Sequence, residues 1–123
     1  MTENKLLKMQ TIFFLLIFLI WMVDFATTIV GLRLGAYETN VFAAWLFTFG
    51  APGFILDFVF CFFIVFFVTF VLSDLMVILH KKMCGQDLHI SIVFFFLFLA
   101  LIMFYNQELQ AIANNIAVIM GYL

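Results

Sequence analysis

The sequence predicts an all-α integral membrane protein: three transmembrane helices with a short re-entrant or interfacial half-helix between the first and second. Three observations carry this. The chain is 68% hydrophobic and only 10% charged, where a soluble domain averages about 45–50% apolar and about 25% charged. Its apolar runs reach about 18 residues or more, enough to cross a hydrocarbon core about 30 Å thick. From Phe54 to Leu79 there is hardly a polar residue to clothe the outer face of a water-soluble bundle. The whole chain, 1–123, reads as a single transmembrane domain without repeats or low-complexity linkers.

The first span is expected over about 9–34. Lys5 and Lys8 followed by apolar residues could open a secretory signal. The run continues through Trp21 to Leu34, however, and no small-x-small cleavage site precedes Asp24, so it is read as an uncleaved span. Gly35 ends it, glycine being the usual residue just past a helix C-terminus. A segment over about 38–50 is too short to cross and carries Trp45 as an interfacial aromatic beside Tyr37, which suits a half-helix. Glu38, Thr39 and Asn40 offer capping oxygens at its start. Gly50-Ala51-Pro52-Gly53 is a turn. The second span follows over about 54–79, then a loop with Lys81 and Lys82, then a third span over about 88–106. Asn106-Gln107-Glu108 interrupts the apolar pattern, and a helical extension over about 109–121 follows. Uninterrupted, that stretch would be a helix of about 50 Å, too long for the core, so a break near Asn106 is expected.

Lys5, Lys8, Lys81 and Lys82 stand against Arg33 alone. This places the N-terminus and second loop in the cytoplasm and the C-terminus outside the cell membrane. A net charge of -2 and the absence of a long basic cluster argue against a nucleic-acid partner. Cys61 and Cys84 are separated by roughly 34 Å along a helix, beyond the reach of a disulfide. The partners expected are the lipid bilayer and either further copies of the chain or a larger membrane complex.

The polar residues inside the spans are the candidate site. At about 3.6 residues per turn, Asp24, Thr27, Thr28, Gly31, Gly35 and Glu38 fall along one stripe. A carboxylate inside a membrane costs roughly 2.5–3.5 kcal/mol and faces the protein interior. Two readings stay open. In one, Asp24, Thr27, Thr28, Glu38, Asn40, Asp57, Asn106 and Asn114 line an outward-opening pocket for a proton or a hard cation such as Na⁺, Mg²⁺ or Ca²⁺. In the other, Asp24 bonds a third-helix asparagine or a threonine and simply packs two helices. Gly31 and Gly35, a G-x-x-x-G, permit close helix approach, within the chain first of all. His80, Cys84, Asp87 and His89 crowd the lysine-bearing loop, but their spacing matches no zinc knuckle. Asp74 is expected to pair with Lys81 or Lys82.

Asp24-x-x-Thr27-Thr28, followed by Leu34-Gly35-Ala36-x-Glu38-x-Asn40, resembles the signature of an uncharacterised family of small prokaryotic, largely archaeal, membrane proteins. That domain of unknown function is similar in carrying D-x-x-T-T and then L-G-x-x-E-x-N-P on and after a first span, with a short helix and two further spans. Val41 stands where the family pattern has proline. The resemblance covers about residues 9–120 and implies no activity. Within the spans no serine lies near a histidine, and no H-E-x-x-H, G-x-S-x-G or phosphate-binding glycine loop is present, so no enzyme and no cofactor is expected. The expected function is a non-enzymatic subunit or accessory factor of a membrane complex. The alternative is a cation- or proton-binding transporter or channel component working through Asp24 and Glu38.

Overall fold

In the computed structural model, residues 3–38 and 40–122 are described; residues 1–2, Thr39 and 123 lie outside that set. The chain forms α1 (Glu3–Arg33), α2 (Val41–Phe47), α3 (Ala51–Phe66), α4 (Ser73–Cys84) and α5 (Ile90–Tyr122). A π-helical turn over Phe67–Leu72 makes α3 and α4 one continuous rod. That rod, α1 and α5 are each long and apolar enough to cross a membrane, and the short α2 lies between the first and second spans.

The boundaries depart from expectation in instructive ways. No break occurs near Asn106: the expected span over 88–106 and extension over 109–121 are a single helix, Ile90–Tyr122. Glutamine and glutamate are good helix formers, and a break there would strip backbone N–H and C=O groups of partners where lipid offers none. The half-helix expected over 38–50 shortens to seven residues, Val41–Phe47. The second span extends beyond 54–79 to Ala51–Cys84.

Each helix end follows from its local sequence. At the end of α1, Gly35 takes φ +99°. The Ala36 N–H then bonds the Gly31 carbonyl (3.0 Å) and the Gly35 N–H that of Leu32 (3.1 Å), the paired bonds of a Schellman ending. Helix α1 therefore stops at Arg33, and Gly35 and Glu38 leave the helical stripe predicted for them. Asn40 caps α2, its Oδ1 accepting from the N–H groups of Phe42 and Ala43. Gly50 at φ +72° and Pro52 in the first turn then start α3. Gly53 sits so close to α2 that a Cβ there would overlap the Leu46 carbonyl, while Phe47 stacks on Phe54 with centroids 4.3 Å apart.

Helix α1 is the central element, and two faces of it are used. Phe14, Phe18, Trp21 and Phe25 form an aromatic row against Phe58, Phe62 and Phe70. Beside that row, Gln10, Phe13, Ile17, Ile20, Asp24, Thr27 and Gly31 repeat with alternating three- and four-residue steps, as a helix-packing seam does. Along this seam α1 packs against α5. Phe13, Leu88, Val93 and Leu97 form the buried cluster there, joined by Met76 and Val77 of α4.

A polar knot closes the lysine-bearing end. Gln10, 2% exposed, donates through Nε2 to Ser73 Oγ (2.7 Å) and Asp74 Oδ1 (2.6 Å). Thr69 and Ser73 turn their hydroxyls back onto carbonyls one turn earlier, in and beside the π-helical turn, which sets the face that α4 presents to Gln10. Asp74 thus pairs with Gln10, not with Lys81 or Lys82 as expected. Lys81 instead bridges Asp87 at 2.9 Å. That hydrogen bond first, and the lysine charge second, hold the exposed Asp87 carboxyl below the ordinary aspartate range. His89 Nδ1 accepts from the Ser91 N–H (3.2 Å) at the start of α5.

Gly53→Ala is expected to destabilise the protein by about 1–3 kcal/mol, because the methyl group meets backbone and not a flexible side chain. Thermal unfolding in detergent checks this, with the exposed Met83→Ala as the unaffected control.

Candidate functional site

The polar side chains of α1 meet α5 at one residue. Asn115 Nδ2 lies 3.0 Å from Asp24 Oδ1, from Thr27 Oγ1 and from Thr28 Oγ1. An amide nitrogen carries two hydrogens, so the three oxygens share them. Thr27 donates its own hydroxyl proton to the Asp24 carbonyl (2.9 Å), which leaves its lone pairs free to accept from Asn115. The D-x-x-T-T pattern is needed for this geometry. Steps of three and four residues put both hydroxyls and the carboxylate on one face, around a single donor from the neighbouring helix.

Immediately beyond this junction, the ending of α1 turns the chain back across the bundle. A cavity of about 40 Å³ is left there, lined by Thr28, Gly31, Tyr37 and Glu38 and by Asn114, Asn115 and Val118 of α5. It has room for a few water molecules at most. Glu38 accepts through Oε1 from the Asn40 N–H at 2.9 Å, so the carboxylate is tied to the α2 cap as it reaches the cavity.

A second carboxylate approaches Asp24 from α5. Glu108 reaches the Asp24 carboxyl, yet its Oε2 is buried without a hydrogen-bond partner among the described residues. Neither carboxylate offers a hydrogen to the other unless one carries a proton. On α3, half-buried Asp57 is close enough for the charges of Glu38 and Asp24 to act on it.

The structure brings together Thr28, Glu38 and Asn114 at the cavity, with Asp24 and Thr27 one layer deeper through Asn115. Three residues expected in the pocket are elsewhere. Asn40 spends its side chain on capping α2. Asn106 is exposed on α5 and accepts from Gln110 Nε2 (3.3 Å). Asp57 contributes from α3 without lining the cavity. Gly31 packs toward Ile119 and Gly35 lies against Tyr122, so the glycines serve the α1–α5 contact, Gly35 from a turn and not from a helix. Asn115 and Glu108 were not among the expected pocket residues. The signal that points to them is the seam of α1, whose polar members at Asp24 and Thr27 require a polar partner on the facing helix.

Among the described residues no three His, Cys, Asp or Glu side chains gather as a metal-holding group. His80, Cys84, Asp87 and His89 therefore form none, and a cation in the cavity would rest on Glu38 with hydroxyl and amide oxygens.

Asn115→Ala removes the donor from three oxygens at once, leaving the Asp24 carboxyl without its amide partner. A loss of about 1–3 kcal/mol is expected, read as a lowered unfolding midpoint in detergent; an unchanged midpoint contradicts the junction. Comparison with protein-family models, with characterised proteins and with solved structures finds no significant match to this chain.

Proposed function

We propose that the protein is a non-enzymatic subunit or accessory factor of a membrane complex. In this reading it crosses the cell membrane three times, with the lysine-bearing ends in the cytoplasm and the C-terminus outside. The observation that supports it is the division of polar groups on α5. Asn115 is consumed within the chain, whereas Asn106, Gln107, Gln110 and Asn114 are exposed at the depth of the α1 span. Lipid does not answer amides, and a protein neighbour does. Solubilised from its native membrane in mild detergent and cross-linked, the protein is expected well above its 14.3 kDa monomer mass. A purely monomeric population overturns the reading. We propose further that the chain is a relative of the small prokaryotic membrane family its Asp24-x-x-Thr27-Thr28 signature resembles, a relationship that carries no activity.

A second reading, a proton- or cation-binding component, is favoured by Glu108 Oε2. Two carboxyls in contact inside a membrane repel unless one proton or a cation lies between them. The titratable groups around the pair are Asp57 and Cys61 on α3, with Glu38 beside Asp57 in turn. Thermal stability across pH and a panel of cations, wild type beside Asp24→Asn, tests it. A pH- or cation-specific stabilisation lost in the variant supports a binding role. Equal or greater stability in Asp24→Asn, with no ion dependence in either, makes Asp24 a packing residue.

A further inference from the structure

We infer that the outward face of α5 pairs with the same face of a second copy of this chain. The inference rests on the subunit reading above and names the partner. Two ladders share this face. Asn106, Gln110 and Asn114 recur every four residues, and so do Ala113, Ala117 and Gly121; all six are exposed. At about 100° per residue, Gln110 points roughly 140° and Asn106 about 180° away from Asn115, so these two turn away from the α1 contact, while Asn114 stands at the edge of the face by the cavity. Gly121 has no neighbouring atom within 4 Å of where a Cβ would stand.

Depth makes the face unusual. Tyr105 Oη donates to the Leu16 carbonyl (3.1 Å) and Asn115 to Asp24. Asn106 to Asn114 therefore run alongside α1 from about Leu16 to Asp24, within its apolar run. Among the described residues the three amides make one hydrogen bond among themselves, Gln110 to Asn106, which leaves most of their donors and acceptors open. Apolar lipid chains cannot fill them, and small residues beside amides are the composition of helix–helix contacts in membranes.

Symmetry selects a second copy as the occupant. Two chains inserted with the same orientation are related by a two-fold axis along the membrane normal. Their α5 helices then run parallel, and each residue meets its own counterpart at the same depth. A lysine or glutamate would repel itself there, whereas an amide both donates and accepts and so complements its twin. Ala113, Ala117 and Gly121 let the two backbones approach closely enough for the amides to meet.

The test uses the full chain in phosphatidylcholine–phosphatidylglycerol vesicles with Cys61→Ala and Cys84→Ser. Gln110→Cys is expected to form an intermolecular disulfide on mild oxidation, while Leu56→Cys, exposed on α3 near the depth of Asp57, does not. Energy transfer between labelled copies is expected to weaken at least about tenfold in apparent affinity in Asn106→Leu/Gln110→Leu/Asn114→Leu. Circular dichroism confirms that this variant stays helical, and the cysteine experiment stands without it. Equal cross-linking of Gln110→Cys and Leu56→Cys, or undiminished transfer in the triple variant, overturns the pairing. In native membranes, capture of a different chain by Gln110→Cys overturns self-pairing and leaves the subunit reading intact. Capture of nothing overturns both.

Discussion

A polar group at membrane depth must be answered by protein, and the architecture turns on how α1 meets that demand. In lipid there is no hydrophobic drive to bring helices together, because acyl chains are as apolar as leucine. What distinguishes one helix arrangement from another is close packing and hydrogen bonds. Helix α1 places hydrogen-bonding side chains at two levels of its seam, Gln10 near the lysine-bearing end and Asp24 with Thr27 toward the other. Each finds its partner on a different neighbour. Gln10 takes Ser73 and Asp74 of α4, and the Asp24 group takes Asn115 of α5. Two knots at different depths, on different partners, constrain both the rotation of α1 and its height relative to each.

The aromatic row completes that arrangement. Phe14, Phe18, Trp21 and Phe25 meet Phe58, Phe62 and Phe70 with centroids mostly 5–6 Å apart, a contact that supplies area but little register. Register comes from the knots. The cavity is then a consequence of where α1 ends. Because Gly35 turns the chain back over Gly31, Glu38 arrives above Thr28 and opposite Asn114 and Asn115. A helix continued through Glu38 would carry that carboxylate away from α5.

How much of this was legible follows from what each residue's signal depends on. The spans were legible because length and apolarity are properties of a segment alone. So was the end of α1, since a glycine just past a helix C-terminus acts locally. The continuity of α5 was not, because Asn106-Gln107-Glu108 looks like an interruption when side chains are read as one patch. In the helix these residues divide, Glu108 toward Asp24 and the amides outward, and the backbone keeps its bonds. Asn115 was visible beside Asn114, but choosing between adjacent asparagines needs the rotation of α5 about its axis, which is a tertiary quantity. Asn40 and Asn106 were assigned to the pocket by residue type, and a local use, a helix cap in one case and a bond to Gln110 in the other, claims each side chain.

The adjacent pair Asn114-Asn115 shows how the chain's polar residues divide between two surroundings. They sit about 100° apart on one helix. The inner one is half-buried and bonded to three oxygens, while the outer one is exposed at the rim of the cavity. If the amides of α5 existed only to hold the fold, the knot at Asn115 would suffice, and the cost of carrying Asn106, Gln107 and Gln110 through the same depth would be uncompensated. That excess is the physical reason for the association partner proposed above. The unpartnered Glu108 oxygen is a different matter, because it faces inward and no neighbouring chain on the outer face of α5 reaches it. The proposed association and the proposed proton or cation binding therefore draw on different faces of one helix, with Asn114 at the edge between them.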